Sequence, residues 1–234
     1  MQRRQFLTAC ALMAGVSGAR ALADAWAAAP PRRHAPARLV DIHGEPIKVR
    51  QVAAKTNYVF SYPFAATPCF LLNLGRPIAA APELLRADGA SYGWAGGVGP
   101  QHSIVSYSAI CAHKLAYPTR EVSFIRFQSD RSPTSDGNVI HCCADHSVYD
   151  PSAGARVISG PASQPLAAIL LEYDSEHDEL TAVGTVGAEQ FEAFFRKYDF
   201  KLALEYGAAK ARQPVGPATI VREMTQYCRQ MIQC

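Results

Sequence analysis

Short apolar runs, each bounded by turn-forming residues, recur along the chain between residues 57 and 183. Runs of this kind, rich in β-branched and aromatic side chains, are typical of β-strands. The pattern predicts strands over residues 57–62, 69–74, 103–108, 122–127, 138–141, 167–173 and 179–183. Asp136-Gly137 and the stretch that ends at Gly154 supply turns between them. Many short strands with turn-rich links predict a mainly β fold, an antiparallel β-sandwich or barrel.

The spacing of the apolar positions changes after Gly187. Four aromatic residues then follow helical spacing: Phe191, Phe194, Phe195 and Tyr198. A second apolar stripe at helical spacing runs through residues 218–233. Residues 186–234 are therefore predicted to form a C-terminal helical extension. We expect its apolar faces to pack on their own domain, with a subunit interface as the alternative.

The first 23 residues have the features of an export signal. Arg3-Arg4 precedes a short apolar run, and Ala21-Leu22-Ala23 is a suitable cleavage site. The apolar run is shorter than the ~20 residues that a membrane-spanning helix needs. We expect residues 1–23 to be a twin-arginine signal peptide and the mature protein to be periplasmic. A membrane tether is the alternative if the signal is retained.

Composition and charge indicate a linker and exclude one class of partner. Residues 24–37 are rich in Pro and Ala and predict a linker between the signal and the β domain. The whole chain carries 23 basic and 20 acidic residues, and the predicted signal accounts for three of the arginines. The mature chain is therefore formally neutral. It has no basic stripe interleaved with aromatic residues, so we expect no nucleic-acid partner.

Two Cys-His pairs are the candidate chemistry. They are Cys111-Ala-His113 and Cys143-Ala-Asp-His146. Two thiolates and two imidazoles match the ligand set of a [2Fe–2S] centre that has Cys on one iron and His on the other. Zinc sites more often pair Cys with Cys and His with His, so zinc is the weaker alternative. Because the chain has seven Cys and seven His, chance pairing without any metal is the third possibility.

The residues around these pairs resemble the Rieske family. Ser147 and Tyr149 follow the second pair, and Gly160-Pro161-Ala162 comes about ten residues later. The stretches 98–100 and 104–114 are most similar to the small, Rieske subunit of arsenite oxidase, and the Rieske subunit of bc complexes is the second choice. The resemblance implies a Rieske domain over residues 38–185. It also implies that Ser147 and Tyr149 donate hydrogen bonds to cluster sulfurs and that Gly160 and Pro161 shield the cluster.

The second pair allows more than one ligand register. Preserving the Cys-x-x-His spacing selects Cys143 and His146 beside Cys111 and His113, and this is our preferred prediction. Counting back from Ser147 in the family pattern selects Cys142 and Asp145 instead, which would put a carboxylate where an imidazole is usual. Cys142 with His146 is a further option. His141, which precedes the pair, is predicted to be structural.

The family's usual disulfide between the two cluster loops has no counterpart in this sequence. With the preferred register, its positions are Ala116 and Asp145, and Leu115 stands where the first loop usually has Gly. Cys69 is predicted to be a buried small apolar residue. Cys228 and Cys234 remain for a bridge with each other or with a partner.

The resemblance implies an electron-transfer subunit that is not an enzyme alone. It would pass single electrons between a catalytic oxidoreductase subunit, or quinol, and a c-type cytochrome, by means of a Rieske-type [2Fe–2S] cluster. No nucleophile elbow, phosphate-binding loop or zinc-protease helix is present in the sequence to indicate another activity. The rival hypothesis is a structural or assembly subunit that keeps the fold and has lost the cluster, because Leu115, Ala116 and Asp145 depart from the family pattern.

Overall fold

The computed structural model describes residues 30–207 and 209–234, and in these residues it is mainly β. The strands are β1 (Arg32–Val40), β2 (Tyr58–Ser61), β3 (Pro68–Asn73), β4 (Ala81–Leu85), β5 (Ser91–Trp94), β6 (Ile104–Ser108), β7 (Val122–Ser123), β8 (Ile125–Gln128), β9 (Val139–Cys142), β10 (Ser147–Asp150), β11 (Arg156–Ser159), β12 (Ala168–Asp174), β13 (Glu179–Val186), β14 (Ala218–Ile220), β15 (Arg222–Glu223) and β16 (Gln230–Met231). The helices are α1 (Phe191–Tyr206) and α2 (Met224–Tyr227). All seven predicted strands are confirmed, with ends that shift by up to three residues and with one of them divided into β7 and β8.

The largest sheet has the strand order β14-β1-β13-β12-β6-β3-β2-β15. Its two edge strands are neighbours in the chain, because only Val221 separates β14 from β15. The hydroxyl of Thr219 on β14 also donates to the carbonyl of Ser61 on β2, at 2.8 Å. The sheet therefore curls into a nearly closed barrel, which removes most of its exposed edge.

Strand β3 explains how one sheet serves two cores. Successive side chains on a strand point to opposite faces. Phe70 and Leu72 accordingly lie in one apolar cluster, whereas Cys69 and Leu71 lie in another. Because both faces are covered, the strand is an unbroken apolar run rather than an alternating one. Cys69 is fully buried and unpaired, as predicted.

A smaller sheet with the order β11-β10-β9-β8 covers one of these two cores. Its inward side chains include Phe127, Ile140 and Tyr149, and they share a cluster with Tyr107 of the large sheet. The turn between β9 and β10 carries the second Cys-His pair, and the loop after β6 carries the first. The two packed sheets therefore bring the two candidate loops to one end of the molecule.

Helix α1 confirms the first of the two predicted C-terminal helices. Its aromatic stripe packs on its own domain, and Phe194 meets Tyr117 edge to face with ring centroids 4.9 Å apart. No helix in the described residues combines the length and apolar character needed to cross a membrane.

The second predicted helix, over residues 218–233, is wrong. This segment forms β14, β15 and β16, with only the four-residue helix α2 among them. Its β-branched residues Thr219, Ile220 and Val221 fit a pleated strand better than a helix. The backbone of β14 pairs with β1, and that of β15 pairs with β2. Tertiary pairing thus overrides the helical spacing of the apolar residues.

The predicted linker over residues 24–37 also ends earlier than expected. Strand β1 begins at Arg32 and pairs with β13. Pro30 and Pro31 precede the strand. Pro36 is tolerated within it because it lies at an irregularity in the pairing, between Arg33 and Ala37. The predicted signal peptide, residues 1–23, lies outside the described residues.

Candidate metal centre

The first loop is a tight turn after β6. The amide of Leu115 donates to the carbonyl of Cys111 at 3.0 Å, and the amide of Cys111 donates to the carbonyl of Ala116 at 2.9 Å. These two bonds close the turn around His113. Leu115 has a φ of 58°, in the left-handed region that usually selects glycine. The turn fully buries Cys111 and leaves about a third of the His113 side chain exposed.

The second loop closes between two paired residues. Cys142 at the end of β9 lies opposite Ser147 at the start of β10. Within the turn, the amide of His146 donates to the carbonyl of Cys142 at 2.7 Å, and His146 has a φ of 60°. The backbone pairing therefore fixes which side chains of the turn face the first loop.

Four potential ligands from the two loops meet between them. The sulfurs of Cys111 and Cys142 and a carboxylate oxygen of Asp145 all lie within 4.8 Å of one another. His113 joins them, because its Nδ1 lies 2.9 Å from Oδ2 of Asp145. The structure thus brings together two sulfurs, one imidazole and one carboxylate.

The preferred register of the second loop does not agree with this arrangement. Cys143 forms a disulfide with Cys234, so its sulfur is not a free thiolate. The ring of His146 lies beside His141, at a centroid distance of 5.9 Å, and near Cys234. The register that the structure favours is the alternative one, with Cys142 and Asp145. The Cys-x-x-His spacing misled the prediction because it ignores the Cys142–Ser147 pairing.

Asp145 is buried and heavily hydrogen-bonded. Only 2% of its side chain is exposed. Burial alone would raise the pKa of this carboxyl, but hydrogen bonds from the Ser147 amide, the two thiols and His113 outweigh it and hold the pKa below its ordinary value. Asp145 is therefore a carboxylate at neutral pH and a competent hard ligand.

The two thiols differ electrostatically although they lie side by side. A hydrogen bond from Cys142 lowers the pKa of the Cys111 thiol, against the effect of its burial. The same bond raises the pKa of the Cys142 thiol, and burial adds to that rise. The hydroxyl of Tyr149 also lies 3.5 Å from the Cys111 sulfur and accepts a hydrogen bond from the Ala112 amide at 3.1 Å. The thiolate form is thus favoured at Cys111 and disfavoured at Cys142.

Ser147 and the loop at Gly160 hold the second loop from outside. The Ser147 hydroxyl is buried and accepts a hydrogen bond from the Ala162 amide at 3.1 Å. Gly160 has a φ of 89°, and a Cβ at this position would lie 2.4 Å from the His146 carbonyl oxygen. The close approach requires glycine. Pro161 follows it on the surface. Gly160 and Ala162, on either side of Pro161, therefore lie against the second loop.

Helix α1 supports the first loop, a role that the sequence did not reveal. The Gln190 side chain, just before the helix, donates to the carbonyl of Ala112 at 2.8 Å. Lys197 on the helix donates to the carbonyl of Lys114. Only the three-dimensional packing could show these contacts, since they join residues more than 75 positions apart.

The Cys143–Cys234 disulfide is a second feature that the sequence did not reveal. It links the second loop to the C-terminal segment, with a Cα–Cα distance of 5.7 Å. Cys228 is buried and unpaired, so of the two options that the sequence left for Cys228 and Cys234, a bridge between them is not the one that forms. The C-terminal segment reaches the loop because β16 pairs with β7.

The donor set at the meeting point of the loops fits a [2Fe–2S] cluster with one substitution. Two neighbouring sulfurs suit one iron, and the Nδ1 of His113 is turned toward the same point. The fourth position offers the Asp145 carboxylate instead of a second imidazole. Oxygen, nitrogen and thiolate donors can all bind iron, so the substitution changes the electronic properties of the site rather than excluding it.

No protein-family model matches the chain. Among solved structures, the chain is similar to the soluble domain of the Rieske protein II (soxF) from Sulfolobus acidocaldarius, with 27% sequence identity and a TM-score of 0.47. The match covers 67% of this chain and 83% of that one.

Proposed function

We propose that this protein is a Rieske-type electron-transfer protein whose [2Fe–2S] cluster is held by Cys111, Cys142, His113 and Asp145. The observation that supports this most is the convergence of these side chains from two loops, with the sulfurs and the carboxylate within 4.8 Å of one another. In this proposal the thiolates hold the inner iron, and His113 and Asp145 hold the outer one. When bound, the group accepts and releases one electron at a time.

The surrounding residues would tune and protect this site. Tyr149 is fully buried, and its hydroxyl stabilises negative charge on the Cys111 sulfur. The Ser147 hydroxyl, which holds Ala162 in place, still has its proton to donate. His113 is the ligand with the largest exposed surface, so its imidazole edge is the proposed route for electrons to and from a partner.

The carboxylate distinguishes this site from a two-imidazole Rieske centre. An anionic ligand stabilises the oxidised state, so we expect a reduction potential below that of a centre with two neutral imidazoles. Asp145 would contribute this charge in a pocket where only 2% of its side chain is exposed, so water screens it little.

The proposed cellular role follows the sequence. We propose that residues 1–23 export the folded protein to the periplasm. There it would exchange single electrons with a catalytic oxidoreductase subunit, or quinol, and with a c-type cytochrome. The resemblance of residues 98–100 and 104–114 to the small subunit of arsenite oxidase supports this role.

One observation favours a second candidate, a structural subunit without a cluster. Asp145 receives hydrogen bonds from the Ser147 amide at 3.0 Å, from the Cys111 thiol at 3.3 Å and from His113 at 2.9 Å. The polar groups of the site are thus satisfied by one another. A site of this kind is stable without metal, so the two candidates require a direct test.

The test is the iron and acid-labile sulfide content of the full chain, followed by EPR after reduction with dithionite. The electron-transfer proposal expects two irons and two sulfides per chain and the rhombic signal of a reduced [2Fe–2S] centre. Cys111→Ser should lose both, whereas Cys69→Ser, at a buried cysteine of the other core, should keep them. Iron-free wild-type protein that stays EPR-silent after anaerobic reconstitution would contradict the proposal. The second candidate, a structural subunit without a cluster, would then be favoured.

A further inference from the structure

A second group of side chains that could hold a metal ion lies beside the first. Donor atoms of His141, His146 and Cys234 are all within 4.8 Å of one another. Cys143 belongs to the same group, since its sulfur is bonded to that of Cys234. The two groups share no residue. They are separate because His141 and Cys142 are successive residues on β9 and so point to opposite faces of the sheet.

His141 is the residue that indicates a ligand. It is fully buried, and its Nδ1 has no hydrogen-bond partner among the described residues. Its Nε2 has only the Cys234 sulfur at 3.5 Å, which is a weak partner. An ion bound at Nε2, the ring atom that faces Cys234, would give this buried imidazole a strong partner where it now has only a weak one.

The geometry suits a small divalent ion once the sulfurs are separate thiolates. Two thiolates and two imidazoles are a preferred ligand set of Zn²⁺, with metal–ligand bonds of about 2.0 to 2.3 Å. Ligand atoms on such an ion lie about 3 to 4 Å apart, and the His141–Cys234 distance of 3.5 Å already falls in that range. His146 is exposed, which gives an ion a route from solvent.

The C-terminal segment has its own attachments and does not depend on the disulfide. The Ile232 amide donates to the Ser123 carbonyl at 2.9 Å, and the Ile232 carbonyl accepts from Arg126 at 3.2 Å. Strand β16 pairs with β7 just before it. Reduction of the disulfide would therefore leave Cys234 close to His141. A divalent ion with two thiolates is neutral overall, so the Arg126 guanidinium on the neighbouring strand does not oppose it.

We propose that Cys143 and Cys234, when reduced, form a second metal site with His141 and His146 that takes Zn²⁺ or a similar divalent ion. A dithiol reductant would break the Cys143–Cys234 bond, donate two electrons and two protons, and become a disulfide itself. Binding of the ion then releases the two thiol protons to water. In the oxidised protein the two sulfurs are bonded to each other and the site is closed.

The test counts bound metal in one protein in two redox states. Full-length protein carrying Cys10→Ser is freed of metal and divided into an oxidised sample and a sample reduced with a phosphine, which takes up oxygen from water as it opens the disulfide. Each is titrated with Co²⁺, and Zn²⁺ is then added as a competitor. We expect the reduced sample to bind one more equivalent, with thiolate-to-cobalt absorption and tetrahedral d–d bands that Zn²⁺ abolishes. Cys111 and Cys142 are present in both samples, so cobalt bound by them does not contribute to the difference between the samples.

Matched variants locate the additional equivalent. Cys234→Ser and the surface variant His146→Ala should abolish it under reducing conditions, whereas Cys228→Ser, in the same C-terminal segment, should keep it. Circular dichroism checks that each variant is folded. Equal cobalt binding by the oxidised and reduced wild-type samples would overturn the proposal, and so would an extra equivalent that survives both Cys234→Ser and His146→Ala. These results do not depend on iron, so the proposal can fail or succeed independently of the cluster assignment.

Discussion

The two loops of the candidate metal centre are built alike but were predictable to different degrees. Each is a tight turn in which a non-glycine residue, Leu115 or His146, takes a left-handed conformation. In the first loop, the residues that the sequence selected, Cys111 and His113, are the ones that face the site. In the second loop the facing residues are shifted by one, to Cys142 and Asp145. The difference shows that strand pairing, rather than motif spacing, determines which residues of a turn face a site.

Two cysteine variants should differ strongly in iron content and so distinguish the two registers of the second loop. Cys142→Ser should remove the iron, because it deletes a sulfur that faces Cys111. Cys143→Ser should keep the iron, because that sulfur is bonded to Cys234 instead. Iron and sulfide analysis of the two variants, purified in parallel, measures the effect. Iron that is lost from Cys143→Ser and retained in Cys142→Ser would restore the Cys-x-x-His register.

A glycine pair tests how closely the second loop is held. Gly160→Ala should cost about 3 kcal/mol of unfolding free energy, since it combines a strained φ with a Cβ 2.4 Å from the His146 carbonyl oxygen. Gly89→Ala has a similar φ of 83° and nothing within 4 Å, so it should cost only about 1 kcal/mol. Urea unfolding measures both. Equal losses would mean that the loop yields easily to the added methyl group.

The hydroxyl of Tyr149 joins the two loops, and its removal should have a smaller effect. Tyr149→Phe should cost about 1 to 2 kcal/mol and lower the reduction potential, because the bonds to Cys111 and Ala112 are lost. Tyr107→Phe is the control. Its hydroxyl donates to the Pro151 carbonyl at 2.7 Å, away from the loops, so stability should fall while the potential stays unchanged. A potential that moves in both variants, or in neither, would argue against a local effect of Tyr149 on the sulfur.

Glycine substitutions at the left-handed residues of the two turns should change stability only slightly and in opposite directions. His146→Gly should raise stability by about 0.5 kcal/mol, because relief of backbone strain exceeds the entropy that glycine adds to the unfolded chain. Leu115→Gly should lower it, because the Leu115 side chain also packs against the apolar cluster beneath α1. Thermal unfolding shows whether each variant is more or less stable than the wild type. A loss of stability in His146→Gly would show that the exposed imidazole contributes to the fold.

Local sequence patterns predicted most of the large sheet correctly. The apolar runs of β3, β6, β12 and β13 are long enough to be recognised without knowledge of their partners. Strands β14 and β15 could not be recognised, because each has at most three residues and exists through its pairing with β1 or β2. Their apolar residues happen to recur at helical spacing, which led to the wrong prediction.

The candidate site was predictable as a pair of loops but not in its detail. Ser147 and Tyr149, counted back along the family pattern, indicated the register with Cys142 that the structure favours, and the preference for intact Cys-x-x-His spacing overruled them. The Cys143–Cys234 bond joins positions 91 residues apart and depends on the pairing of β16 with β7, which no local pattern signals. The support of the first loop by Gln190 is long-range in the same way.

In the proposed cluster, the outer iron would have one imidazole ligand, from His113, and one carboxylate ligand, from Asp145. Protein-film voltammetry between about pH 6 and 12 tests this assignment most directly. An imidazole ligand loses its proton more readily in the oxidised state, so the potential falls at high pH by ~59 mV per pH unit for each coupled proton. One imidazole predicts that the limiting slope stays near this value in the wild type, and that Asp145→His brings it close to double. A wild-type slope that is already double would show two imidazole ligands and contradict the assignment of Asp145.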